Sequence, residues 1–109
     1  MLDLSARDLD RVCAILHQHA RGLRVLAYGS RVQGKARPTS DLDLALDAPA
    51  PVPLPVMGAL QEALKESDLP FRVDVVDLAS VTPDFQALIR SQAVEIAGAA
   101  ELRGRAAER

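Results

Sequence analysis

Apolar positions recur along the chain with two different spacings, and the change from one to the other marks out the elements. Between Ser5 and Ala20, the residues Leu9, Val12, Cys13, Leu16 and Ala20 fall on one side of a helix, as an amphipathic helix requires. Ser5 suits the cap position, and Asp8 completes a capping box with Asp in place of Glu. Gly22 ends the helix. Leu23 to Tyr28 is apolar apart from Arg24, which predicts a mostly buried strand. Val32 to Ala36 predicts a short helical turn, broken by Pro38-Thr39-Ser40. From Asp41 to Leu46 the pattern alternates. Leu42, Leu44 and Leu46 point one way, Asp41, Asp43 and Ala45 the other. One face of this strand is expected to be core and the other to carry chemistry.

Ala48 to Pro55 contains Pro49, Pro51, Pro53 and Pro55, so it can be neither helix nor central strand and reads as a stiff connector. A helix starts near Pro55, with Val56, Leu60, Ala63 and Leu64 as its apolar stripe and Lys65 and Glu66 on a solvated face. Asp68-Leu69-Pro70 stops it. Phe71 to Leu78 predicts a third strand, with Val73 and Val75 on one face and Arg72, Asp74 and Val76 on the other. Asp77 alternates away from Asp74 near the strand end and suits a loop or capping role. Thr82 caps a last helix with Pro83 in its first position, and Phe85, Leu88, Ile89 and Gln92 line one side. Ala93 to Ala100 fits a final strand or an extension of that helix, and the polar stretch 101–109 is expected to fray. No internal repeat interrupts this order. The chain therefore reads as one domain, 1–109 with its core over about 5–97, of α/β or α+β class: a small mixed sheet with flanking helices.

Composition narrows the partners. The chain has 109 residues, 49% of them hydrophobic, enough for a single buried core. No apolar run approaches the ~20 residues of a membrane span. The start, MLDLSARDLD, is acidic and lacks an apolar signal region, so the cytoplasm is the expected location. The single cysteine, Cys13, cannot form an internal disulfide, and its place on the helix's apolar face points to packing. A net charge of −2 and 3% aromatic residues argue against a broad nucleic-acid surface or a base-stacking platform, though not against a local basic pocket.

That pocket has candidates. Asp41 and Asp43 are two apart on a strand, so their carboxylates share a face. At about 4 Å and an effective dielectric near 20 they would repel by about 4 kcal/mol, a cost relieved by a cation or by water. Gly29-Ser30 ends the preceding strand and can turn backbone N–H groups toward an anion, the more so if Ser30 starts a helix. Arg31, Lys35 and Arg37 lie between the two features, and for them phosphate binding and ordinary surface charge are both open. An isolated Asp-x-Asp or Gly-Ser is weak. Their joint placement between two apolar strands, with Asp74 embedded in a third, is stronger, because carboxylates on buried strands are expensive without partners. A phosphate cradle, basic residues and paired carboxylates suit a metal–nucleoside triphosphate.

The stretch GSRVQGKARPTSDLDLAL resembles the signature of the polymerase-β-like nucleotidyltransferases, and the short chain with FRVDVVDLASVTPDFQALIRSQAVEIAG resembles their minimal branch. The resemblance runs from about Leu23 to Ala97. It implies that fold, and that Asp41, Asp43 and Asp74 are the catalytic, metal-binding residues for two magnesium ions. It implies nucleotide binding through Gly29 and Ser30, with Arg31, Lys35, Arg37 and Ser40 beside them. It further implies transfer of AMP from ATP to a tyrosine hydroxyl of a HEPN-domain toxin, the chain being the antitoxin. The alternatives are an antitoxin that acts by contact alone and a transferase for a small-molecule hydroxyl such as an aminoglycoside's. Strand alternation gives a direct test. Asp74→Asn should cut turnover strongly and nucleotide binding less, whereas Asp77→Asn should leave turnover nearly intact. Steady-state rates of the two variants measure this, and a larger loss for Asp77→Asn would mean that the strand faces the other way.

Overall fold

The computed structural model describes residues 2–97. The elements run α1 (Ala6–His19), β1 (Arg24–Tyr28), β2 (Leu42–Asp47), α2 (Leu54–Lys65), β3 (Val73–Asp77), a single 3₁₀ turn at Leu78–Ser80, α3 (Pro83–Gln92) and β4 (Val94–Ala97). The caps are those the sequence announces. Ser5 Oγ accepts the Asp8 N–H at 3.1 Å, and Thr82 Oγ1 accepts that of Phe85 at 3.2 Å. The proline connector leads into α2 with Pro53 at its cap. After α1, Gly22 takes a left-handed φ of 80°, which a glycine adopts without strain. Ala93–Ala100 resolves into the strand Val94–Ala97; residues 98–100 and the polar stretch 101–109 lie outside the described residues.

The four strands form one mixed sheet in the order β3-β2-β1-β4. β1 pairs antiparallel with both β2 and β4, and β2 pairs parallel with β3 through the crossover helix α2. On one face, Leu42, Leu44 and Leu46 of β2 and Val25 and Ala27 of β1 meet Val12 and Leu16 of α1 and Leu60 and Leu64 of α2, all buried. This is the predicted core. The other face does more than carry chemistry: Ala45, Leu26, Leu78 and Ile89 form a second buried cluster beneath α3, with Tyr28 and Phe85 at its margin. Ala45, read as an outward position, is buried because its small side chain lets α3 close over it. Leu88, read as part of the inward side of α3, is instead 52% exposed.

An ionic knot fastens this second layer. Arg90 of α3 holds both oxygens of Asp47 at 3.1 Å, and Arg24 of β1 reaches Asp47 at 3.0 Å while also pairing with Glu95 of β4. The bidentate Arg90 fork is the stronger geometry, and it is the leading cause that holds the Asp47 carboxyl below the usual carboxylate range, with Arg24 adding to it. A depressed pKa contributes stability that is present above the ordinary carboxylate pKa and lost as pH falls through the folded value. Asp47→Asn should therefore cost about 1–2 kcal/mol at pH 7, the arginines being half in water. Urea unfolding checks this: the midpoint should fall at pH 7, and the deficit should shrink in acid as wild-type Asp47 takes up its proton.

Candidate functional site

The site lies on the second face, beside the region that α3 covers. Its centre is a row across three neighbouring strands. Tyr28 of β1 stands opposite Asp43 of β2, and Asp43 stands opposite Asp74 of β3. The leucines of β2 set this arrangement, because a slip of one residue would turn Asp43 into the core and Leu42 or Leu44 out of it. Asp41 lies one residue before β2, half exposed like Asp74. The three carboxylates thus come to one patch, as alternation and the expected pairing of the strands predict, and Asp77 points away. Asp77 accepts the N–H groups of Val52 at 2.7 Å and Ala79 at 3.1 Å and the Ser80 hydroxyl at 3.2 Å, tying the proline connector to the 3₁₀ turn.

Asp43 carries the electrostatic burden. Partial burial pushes its carboxyl up, and the charges of Asp74 and then Asp41 push it further. The Tyr28 hydroxyl is raised too, by burial first and then by Asp43 and Asp74, so it stays a protonated donor. The nearest cation is Arg72, just before β3 and two residues from Asp74. Its Nη2 stands 3.4 Å from Asp41 Oδ2 and 3.6 Å from Asp74 Oδ2. Among the described residues, no three acidic, His or Cys side chains are gathered as a ready-made metal cage. The patch offers hard oxygen donors around a guanidinium that is 75% exposed.

Gly29 closes the row from β1. Its φ is +83°, and a Cβ built there would overlap the carboxylate of Asp43, so two separate reasons demand glycine. Its N–H donates to Gln92 Oε1 at 2.6 Å. The chain then turns tightly, with Val32 N–H donating to Gly29 O at 3.1 Å and Gln33 N–H to Ser30 O at 3.3 Å. Ser30 begins turns and not a helix, and no helix forms over Val32–Ala36. Gly34, again left-handed at φ 72°, opens the turn where a continuing helix would need right-handed backbone.

Of the basic candidates, Arg31 has another task. It is 5% exposed, with its guanidinium donating to the carbonyls of Asp3 at 2.9 Å, Ser40 at 3.0 Å and Pro38 at 3.0 Å and lying 4.3 Å from the centroid of Phe71. Buried charge needs such a full set of acceptors, and this clamp fixes the loop that delivers Asp41. Ser40 serves the same loop through its Oγ, which accepts the Arg37 N–H at 2.8 Å. Lys35 and Arg37 are exposed on it. Sequence reasoning left Tyr28, Arg72 and Gln92 without a role. Tyr28 and Arg72 share the acidic face by simple alternation, and that signal was available. An open cleft of about 650 Å³ adjoins the row, lined by Tyr28, Asp43, Asp74, Arg72, Phe85 and Lys65 among others.

The chain is similar to known proteins. Residues 11–101 match the family described as polymerase beta, nucleotidyltransferase. The chain is 44% identical over 95 residues to the Haemophilus influenzae protein named probable protein adenylyltransferase MntA, covering 87% of this chain and 83% of that one. Among solved structures, it is similar to a toxin–antitoxin determined with AMP-PNP, at a TM-score of 0.70 and 25% identity over 84% of this chain and 73% of the other. It is also similar to a protein described as a minimal nucleotidyltransferase, at a TM-score of 0.63 and 28% identity, over 81% and 88% of the two chains. No helix among the described residues is long and apolar enough to cross a membrane.

The raised Asp43 carboxyl has a measurable consequence. The folded state binds this proton more tightly than the unfolded state, so stability falls as pH rises from the ordinary carboxylate pKa through the raised one and stays lower above it. Asp43→Asn removes the charge. It should raise the thermal midpoint at pH 7 by about 1–4 °C, with the gain fading in acid, where wild-type Asp43 is protonated. Scanning calorimetry at the two pH values decides; a lower midpoint at pH 7 would mean that repulsion is not the governing force there.

Proposed function

Because the chain belongs to the polymerase β nucleotidyltransferase family, we propose that it is an antitoxin that transfers AMP from ATP to a tyrosine hydroxyl of a partner HEPN toxin and so neutralises it. The single observation that carries the reading is the register pair Asp43 and Asp74, with the left-handed Gly29 lying directly against the Asp43 carboxylate. The names of its relatives, an adenylyltransferase and a toxin–antitoxin solved with an ATP analogue, support the donor and the kind of partner. ATP as donor makes the cytoplasm the natural setting.

Magnesium fits the donor set. It needs only one or two carboxylates, its remaining positions going to phosphate oxygens and water, so half-exposed Asp41 and Asp74 with the partly buried Asp43 suffice without a closed cage. When bound, such ions supply charge neutralisation at the phosphates and at the attacking and leaving oxygens. The chain's own residues do the rest. Asp43 and Asp41 hold the cation side of the nucleotide, and the Gly29-Ser30 turn holds its phosphates, with Lys35 and Arg37 on the loop able to reach the same charge. Asp74, nearest the open edge of the sheet, receives the acceptor's proton. The tyrosine oxygen forms its bond to the α-phosphorus as the bond from that phosphorus to the bridging oxygen breaks, releasing pyrophosphate. Tyrosine's ordinary pKa near 10 makes this help necessary at pH 7. The adenylyl group adds bulk and negative charge to the toxin.

Intact-protein mass spectrometry of the co-expressed pair tests the proposal. One or more AMP units should appear on a partner tyrosine with ATP and magnesium, and none with the Asp41→Asn/Asp43→Asn double variant. If the double variant silenced the toxin equally while the toxin stayed unmodified, neutralisation would be by contact alone.

A further inference from the structure

β3 is an edge strand: among the described residues it pairs only with β2. Which of its backbone groups remain open follows from one bond. Leu42 N–H donates to Arg72 O at 2.9 Å, so the backbone of residue 72, and by alternation that of 74 and 76, faces β2. The N–H and C=O groups of Val73 and Val75 therefore face outward, and both residues line the cleft. The cleft follows that edge. Leu69 and Phe71 wall it on the core side, Phe85 of α3 stands on the acidic side, and Lys65 and Arg72 make its rim basic.

We infer that the acceptor segment of the partner enters this cleft in extended form and pairs with Val73 and Val75 as an added fifth strand. The inference rests on the transferase reading above. Asp74 lies between the two outward-bonding residues. In an antiparallel addition it would occupy the position without hydrogen bonds, where facing side chains approach most closely. A residue of the added strand opposite or diagonal to Asp74 would sit on Asp74's own face, with Cβ atoms about 4.5–8 Å apart, a span that aromatic side chains bridge. Main-chain pairing would thus deliver a tyrosine hydroxyl to Asp74 without a side-chain pocket of its own, a recognition mode known for exposed sheet edges. The sheet that aligns Asp43 and Asp74 would then itself supply the docking rail. The basic rim favours an acceptor segment with acidic residues beside the tyrosine.

Amide exchange followed by NMR reads the docking directly. The chain is compared alone and in complex with its toxin partner, both with a non-hydrolysable ATP analogue. The Val73 and Val75 N–H groups should exchange at least tenfold more slowly in the complex. A second probe is Val73→Pro, which removes one outward donor at the first position of an edge strand, where proline is tolerated. It should slow AMP transfer at sub-saturating partner at least tenfold, with ATP affinity unchanged. Unaltered exchange at both residues in a complex that still transfers AMP would overturn the docking and leave the transferase reading standing. Absence of transfer by the unaltered pair would overturn both.

Discussion

Asp43 and Asp74 stand side by side on neighbouring strands with Asp41 close by, and partial burial, then the charges of Asp74 and Asp41, push the Asp43 carboxyl up. Left to themselves, these carboxylates would push β2 and β3 apart. The leucines of β2, buried between α1 and α2, keep the strands in register, and apolar burial on that scale outweighs repulsion between half-solvated charges. The site is thus a place where the fold spends stability to hold charge together, and the tolerance for it comes from the opposite face of the same strands. Asp41, just before β2, is held instead by the loop that the buried Arg31 clamps.

Strand alternation made much of this legible. In β2 every second residue is a leucine and in β3 Val73 and Val75 flank Asp74, so the facing of Asp41, Asp43 and Asp74 follows from the chain itself. The partnership of Asp43 with Asp74 depends on which strands adjoin and in what register, and that was available only as a condition. Arg31 shows a harder limit. It sits among other charged and polar residues of the loop, yet it is buried under Phe71 and the carbonyls of Asp3, Pro38 and Ser40. Nothing local in the sequence distinguishes such a clamp from a phosphate ligand. Ala45 is a second case: an alanine on a polar-looking face is silent about the helix that will cover it.

The two layers are held by different means. Beneath α1 and α2 the contacts are almost wholly apolar. Beneath α3 the apolar cluster is small, and Asp47 with Arg90 and Arg24 completes the attachment. Salt and pH act on the second layer far more than on the first. Phe85 rides on α3 and meets Tyr28 edge to face, with ring centroids 6.0 Å apart, so the wall of the cleft belongs to the layer that responds to ionic conditions.

The Gly29 N–H is held by a residue 63 positions further along the chain. During synthesis the glycine turn and all three carboxylates leave the ribosome well before Gln92 does. Until α3 has formed and its last residue has reached back to β1, the turn lacks this anchor. The nascent chain can therefore assemble its acidic row early and still have an unfastened glycine turn. Closure of the Gly29 turn therefore waits on α3, so the sheet and its carboxylates can be ordered before this turn is fastened.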